Sequence, residues 1–281
     1  MPEIVRYLKE ALPYIKKFEG KTFVVKLSGK LLDDPGVLRE ICGDIVLLDA
    51  VGIHVVVVHG AGKQIDVETE KAGIEKKAVN GQRFTDTRTL AIVKKVLAGT
   101  NARIVSCIKK SGAKVQGIDG VSQSVVLAAK KFSGGLDLGF VGAPKKADVK
   151  KLADLLANGI VPVVACLGKT GSGQVLNINA DEVAVAIAKA LKAEKLMILS
   201  DVPGILRDKN DKNSLISELT VTEAKKLIAS GVIAKGMVPK TLACIDALNS
   251  SVKRTHLIDG LEHSLLVEVF TDLGKGTLIR K

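Results

Sequence analysis

The sequence predicts an α/β fold: an open, mostly parallel sheet held in a three-layer αβα sandwich. Three observations carry that expectation. Strand-like apolar runs alternate with helical stretches of about a dozen residues, the signature of βαβ units. The run "IHVVVVHG" (53–60) is apolar almost throughout, as a strand buried on both faces should be. The notable glycine turns each follow a strand, where open α/β sheets keep their ligand sites.

Residues 3–19 repeat apolar side chains at Ile4, Leu8, Leu12 and Ile15, which line one helix face; Pro13 inside the run should kink or divide the helix. "KTFVVKLS" (21–28) reads as a strand, 35–51 as a helix, and "IHVVVVHG" as the second strand. Residues 63–73, 87–99 and 101–112 read as three helices; the weaker run "AKVQGI" (113–118) and a Gly- and Ser-rich stretch follow. "VKKLADLLANG" (149–159) is a helix ended by Gly159, and "IVPVVACLG" (160–168) a strand. A soft lobe boundary falls near "GKTGSGQ" (168–174). Beyond it come the helix "DEVAVAIAKALKA" (181–193), the strand and loop "KLMILSDVPGIL" (195–206), the helices "TVTEAKKLIASG" (220–231) and "PKTLACIDALNSS" (239–251), and the strand "RTHLIDG" (254–260). The end, "LLVEVF…GTLIRK" (265–281), reads as one or two short strands.

A chain of 281 residues, 47% hydrophobic, fits one large α/β domain or two modest ones. No apolar run reaches the roughly 18 residues that a membrane-spanning helix needs. "MPEIVRYLKE" lacks the hydrophobic core of a secretory signal. Cys42, Cys107, Cys166 and Cys244 lie far apart with no CxxC spacing, which suits buried free thiols in a reducing cytoplasm and not zinc. Histidines 54, 59, 256 and 263 have no ligand spacing either. The net charge of +12 favours anionic partners. The lysines fall as scattered KK pairs without interleaved aromatics, so solvated helix faces and a small anionic substrate explain them better than nucleic acid.

Two motifs fail on inspection. "GKT" (168–170) is no phosphate-binding P-loop, because position 163 is valine. "HGAGKQ" (59–64) lacks Ser or Thr after the lysine, and Ile65 breaks GxGxxG. What remains is a set of turns at strand ends. Gly60-Ala61-Gly62 opens a helix, where small residues let backbone N–H groups approach an anion or simply make a tight turn. In "NINADE" (177–182), Asn179 can cap a helix with Glu182 completing a capping box, and Asp181 suits the first turn. Asn177 and Asp181 also stand at the sheet end, where a ligand would be. Lys240, just after Pro239 near a helix start, opposes the helix dipole and needs an anion nearby. Lys26, ending a buried-looking strand before a Ser-Gly turn, makes the same demand. Two misplaced lysines plus glycine turns suggest a polyphosphate.

These residues together resemble the amino acid kinase family, and within it the arginine-sensitive branch that acts on N-acetyl-L-glutamate. The likeness runs nearly end to end through nine ordered segments: "ALPYIKKFEGKTFVVKLSG", "VVVVHGAGKQI", "NGQRFTD", "LGFVG", "VLNINADEVA", "LSDVPGIL", "GMVPK", "HLIDG" and "EVFTDLGKGTLI". The resemblance implies transfer of the γ-phosphoryl group of ATP to a side-chain carboxylate, giving an acyl phosphate. The acceptor is already ionised near neutrality, so the task is positioning and charge neutralisation. By that likeness Lys26 and Lys240 flank the moving phosphoryl group, and Asp181 holds both. Gly29, Ala61 and Gly62 offer N–H groups, Arg83 grips the α-carboxylate, and Asn177 binds the N-acyl end. Ser200, Asp201, Gly204, Leu206, Gly236 and Met237 frame the nucleotide. Mg²⁺ bridges its phosphates through water and phosphate oxygens. Residues 1–20 become an oligomerisation helix, 21–175 an amino-acid-binding and dimerising lobe, and 176–281 a nucleotide lobe carrying an arginine site at Tyr14, His256, Glu268 and Gly274. A hexamer built as a trimer of dimers follows, or a dimer if that helix packs only on its own subunit.

The chain departs from the family pattern in places. Ser28 stands where a glycine is usual, "HGAGKQ" replaces "HGGGPQ", Lys235 replaces a glycine, and "GIDGVSQSVVLAAKK" (117–131) lacks the usual Gly-Ser/Thr-Gly-x-Asp-Gly run. "HGAG" and "PVVACLG" look more like the kinase half of fused synthase–kinases. Two other readings therefore stand beside the kinase: a non-catalytic arginine-sensing subunit, and a kinase for another acidic amino acid derivative.

Overall fold

The computed structural model describes residues 3–79, 82–272 and 274–281. Asn80 and Gly81 of the "NGQRFTD" segment, and the side chain of Ile4 in the first helical face, lie outside the described residues.

The chain begins with helix α1 (Glu3–Phe18), strand β1 (Thr22–Leu27), a short 3-10 turn (Gly29–Leu32), helix α2 (Pro35–Ala50) and strand β2 (His54–His59). Helix α3 (Gly62–Lys71), the small pair β3 (Ala78–Val79) and β4 (Gln82–Arg83), and the long helix α4 (Thr87–Lys110) follow. Then come β5 (Val115–Ile118), β6 (Val126–Ser133), β7 (Leu136–Ala147), α5 (Val149–Ala157), β8 (Val161–Ala165), β9 (Leu167–Lys169) and β10 (Val175–Ile178). The remainder is α6 (Ala180–Ala190), β11 (Lys195–Ser200), β12 (Glu218–Thr220), α7 (Val221–Ala229), α8 (Met237–Leu248), β13 (Arg254–Asp259), α9 (Ser264–Phe270) and β14 (Thr277–Arg280).

Eight strands form the main sheet in the order β12-β14-β13-β11-β1-β2-β8-β5, parallel except where β14 turns back on β13. Helices cover both faces, giving two apolar cores divided by the sheet. Val24, Val56, Val58, Leu196 and Ile198 point to one side, where α6 and α8 pack. Phe23, Val25, Val55, Val57, Met197 and Leu199 point to the other, beneath α2 and α9. Alternate residues of a single strand thus feed both cores, which is why β1, β2 and β11 read as unbroken apolar runs. The chain leaves β1 for β2 on one side and later returns to β11 on the other. The switch point therefore lies at the carboxyl end of β1. A smaller ring of β10-β7-β6-β9 sits beside the sheet.

Several expectations need correction. The two helices read at 87–99 and 101–112 are one, α4; Leu97, Thr100, Asn101 and Ile104 are all buried, and this continuous stripe carries the helix past Gly99. Pro13 does not divide α1, which runs through it. Pro13 is exposed, so water can take up the carbonyl whose amide donor is missing. "LLVEVF" is the helix α9 and not a strand: Leu265, Glu268 and Val269 are buried at helical spacing, a period too short to read in seven residues. "IVPVVACLG" breaks at Cys166 into β8 and β9. Strands β6, β7, β10 and β12 went unread, as did the β3–β4 pair. In β6 the buried–exposed alternation of a half-solvated strand was diluted by two alanines and two adjacent lysines.

Candidate active site at the carboxyl end of the sheet

Each predicted site residue arrives on an element whose local chemistry fixes it. Lys26 is the fifth residue of β1 and is buried among apolar neighbours. Asp181 stands in the first turn of α6, whose N-cap Asn179 accepts a hydrogen bond from the Asp181 N–H at 2.8 Å. Glu182 does not complete the capping box; its carboxylate pairs instead with Lys131 on β6. Lys240 lies in the first turn of α8, which begins at Met237 with Gly236 as N-cap.

These three side chains meet. Lys26 Nζ lies 2.8 Å from Asp181 Oδ1, and Lys240 Nζ lies 3.2 Å from Asp181 Oδ2. Lys26 Nζ also donates to Ser28 Oγ at 3.2 Å. One carboxylate between two ammonium groups leaves a net positive charge. Burial lowers the Lys26 pKa to about 8, with the Lys240 charge acting in the same direction and Asp181 opposing. Burial pushes the Asp181 carboxyl up, but the two lysines outweigh it and hold it below its usual range. Asp181 is therefore an ion at neutral pH, and the misplaced Lys240 has its anion.

The turn after β2 closes against this cluster. A methyl group on Gly60 would lie 3.2 Å from Ala180 Cβ, and one on Gly29 would lie 3.3 Å from the Gly62 N–H nitrogen. The two glycine turns thus abut, tied further by Gln64 Nε2 donating to the Gly29 carbonyl at 2.8 Å. Gly62 itself faces open space. The Ala61 methyl is buried in the apolar core, so it does not crowd a ligand. Arg83 reaches back from β4 to Asp66 on α3, and donates to the Gly62 carbonyl at 3.1 Å. Asn177 Nδ2 donates to Thr85 Oγ1 at 3.2 Å.

A cleft of 1140 Å³ opens beside the Lys26–Asp181–Lys240 cluster and reaches it at Lys240. It is lined by Gly29, Gly62, Ser200, Asp201, Gly204, Leu206, Gly236, Met237 and Lys240, uniting the residues predicted around a nucleotide. Gly204 has φ of +151° and an added methyl would strike Thr277 Oγ1 at 2.6 Å, so only glycine fits there. Lys235, the residue replacing a family glycine, adopts φ of +48°, a left-handed backbone that costs a non-glycine residue roughly 1–2 kcal/mol. Lys30 and Asp66 also line the cleft. Neither carried a role in the sequence reading; the available signal was a lysine directly after the Ser-Gly turn and an aspartate one turn into α3.

The four residues expected around an arginine lie apart from this cleft, but together. His256 Nδ1 is 2.7 Å from Glu268 Oε1, while Glu268 Oε2 accepts the Lys275 N–H at 3.0 Å. A methyl on Gly274 would stand 3.4 Å from that same oxygen. Tyr14 packs from α1 on the same core, and its hydrogen bond to Asp272 raises the phenol pKa. Burial drives the His256 pKa down.

Comparison with known proteins now bears on this geometry. The model of the amino acid kinase family matches residues 21–259. The chain belongs to the amino acid kinase family. The acetylglutamate kinase of Clostridioides difficile is 45% identical over 276 residues, covering 98% of this chain and 96% of that protein. Among solved structures, the N-acetylglutamate synthase of Neisseria gonorrhoeae complexed with coenzyme A and N-acetyl-glutamate superposes with a TM-score of 0.89 at 29% identity, over 99% of this chain. The same synthase complexed with coenzyme A and L-arginine gives a TM-score of 0.86 at 27% identity. The chain spans 63% of the synthase chain in the first of these structures. No helix among the described residues is long and apolar enough to cross a membrane.

Proposed function

We propose that this member of the amino acid kinase family is an acetylglutamate kinase, transferring the γ-phosphoryl group of ATP to the side-chain carboxylate of N-acetyl-L-glutamate in arginine biosynthesis. The observation that carries the reading is the meeting of Lys26 and Lys240 on one Asp181 carboxylate beside the cleft. Two cations fixed by one carboxylate, Lys26 buried and Lys240 half-buried, suit the charge that spreads over a phosphoryl group in flight. The acceptor oxygen needs no base because it is already anionic, so the protein has only to bring two anions together. Arg83 binds the acceptor's α-carboxylate with the donors that Asp66 and Gly62 leave free. Asn177 binds the N-acyl end, and the glycine turns present N–H groups to phosphate oxygens.

Among the described residues no three His, Cys, Asp or Glu side chains converge as a metal cage, and Asp181 is engaged by both lysines. The site therefore fits a Mg²⁺ ion that arrives on the nucleotide's own phosphates and neutralises part of their charge. The relatives related over nearly the full chain favour a kinase over a sensing subunit, since the synthase likeness is weaker in sequence.

The His256–Glu268 pair with Tyr14 and Gly274 is read as an arginine site, which gives feedback by the pathway's end product. Leu8 and Leu12 are exposed on α1, which supports a role for residues 1–20 in joining dimers into a hexamer. Residues 21–175 and 176–281 are read as the amino-acid and nucleotide lobes, and the free thiols suit a reducing cytoplasm.

ATP-dependent hydroxamate formation tests the reaction, because hydroxylamine traps an acyl phosphate. N-acetyl-L-glutamate should be the best acceptor in a panel of acidic amino acids, and arginine should slow it. Stronger trapping with another acid, or none at all, discards the assignment. His256→Asn should abolish the response to arginine while leaving uninhibited turnover within about twofold, since it lies outside the cleft.

A further inference from the structure

Lys30 stands where the phosphates are expected, yet the chemistry above does not use it. It sits in the 3-10 turn that follows β1. Its Nζ lies 2.6 Å from Oδ2 of Asp201, which follows β11. Strands β1 and β11 are parallel neighbours with Leu27 beside Leu199, so this ion pair straddles the crevice between their carboxyl ends. Both residues line the cleft, with Lys240. Burial raises the Asp201 carboxyl, but its hydrogen bond from Lys30 and the charges of Lys30 and Lys240 bring it below the usual range. Lys30, Asp201 and Lys240 thus share one locality at the phosphate end.

The pair is also cheap to open. The two side chains are 63% and 43% exposed, so water screens the bond and it holds weakly. A triphosphate offers more negative charge than one carboxylate, and a lysine on a four-carbon stem can turn to it. Asp201, once released, still faces the Lys240 charge and is not stranded.

We propose that Lys30 is a third phosphate-contacting cation, resting on Asp201 in the free enzyme and exchanging that carboxylate for the terminal phosphate oxygens of an arriving nucleoside triphosphate. This rests on the phosphotransferase reading. Because the contact forms on binding and persists through transfer, it acts on nucleotide affinity and not on turnover.

Lys30→Met keeps the stem and removes the charge. Calorimetry with a non-hydrolysable ATP analogue should show about tenfold weaker binding, the scale of one charge-assisted hydrogen bond. Turnover should stay within about threefold and the acceptor KM should not change. The salt dependence of nucleotide binding should become shallower, and Lys30→Arg should recover most of the affinity. An unchanged Kd for the analogue overturns the proposal, as does a loss of turnover without a loss of affinity. Lys26→Ala separates this from the underlying reading. If Lys26→Ala abolishes turnover while Lys30→Met binds normally, only the third cation is wrong; if Lys26→Ala turns over normally, phosphoryl transfer at this site is wrong.

Discussion

The floor and the rim of the cleft hold the same chemistry in two settings. On the floor, Lys26 and Lys240 contact Asp181 at 2.8 and 3.2 Å. On the rim, Lys30–Asp201 and Lys63–Asp33 are both 2.6 Å apart. The distances would rank the rim as stronger. Burial reverses that order: the Lys26 and Asp181 side chains are 7% and 10% exposed, against 60% and 36% for Lys63 and Asp33. Removing one partner from a buried pair costs about 3–5 kcal/mol because the other charge is left without compensation. An exposed pair contributes about 0–1 kcal/mol. The floor is therefore a fixed electrostatic feature, and the rim pairs are exchangeable.

Asp181→Asn should break this contrast most visibly. It leaves the buried Lys26 ammonium without its carboxylate and facing the half-buried Lys240, so denaturant unfolding should show a loss of about 3–5 kcal/mol. Turnover should fall by about 10²-fold or more, as when one preorganised charge-stabilising group is removed. Should stability and turnover both survive, the floor is no different from the rim.

A second effect is set by pH. Lys26 is charged below its pKa of about 8 and neutral above it, so kcat/KM for ATP should fall as pH rises through about 8. Bound triphosphate favours the charged form, moving the fall in kcat to higher pH. Stability should move the other way. The unfolded lysine keeps its proton to about 10.4. Between about 8 and that value the unfolded chain binds more protons, and stability rises with pH. Activity and melting temperature that fall together across this window would contradict a depressed Lys26. The smallest effect belongs to the rim: Lys63→Ala should change stability by no more than about 1 kcal/mol.

The sheet and the floor were legible in the sequence for one physical reason. Strands buried on both faces must be apolar, so a lysine ending one, as at Lys26, or opening a helix against its dipole, as at Lys240, signals a hidden anion. From its local residues alone Asp181 read equally well as a helix-start residue; only the family likeness assigned it to both lysines, which the fold brings to it. The antiparallel β6–β7 pair escaped because one of its faces is wet and carries lysines. Helix α9 escaped because seven residues cannot separate a helical period from a strand. The pair Lys30–Asp201 joins residues 171 positions apart and has no local signature at all.

Turnover of Lys26→Ala and Lys240→Ala tests the central claim most directly, measured as ATP-dependent hydroxamate formation on protein whose circular dichroism matches the parent. Each should lose at least about 10²-fold in kcat. If both turn over within about twofold of the parent, the two lysines do not carry the transfer.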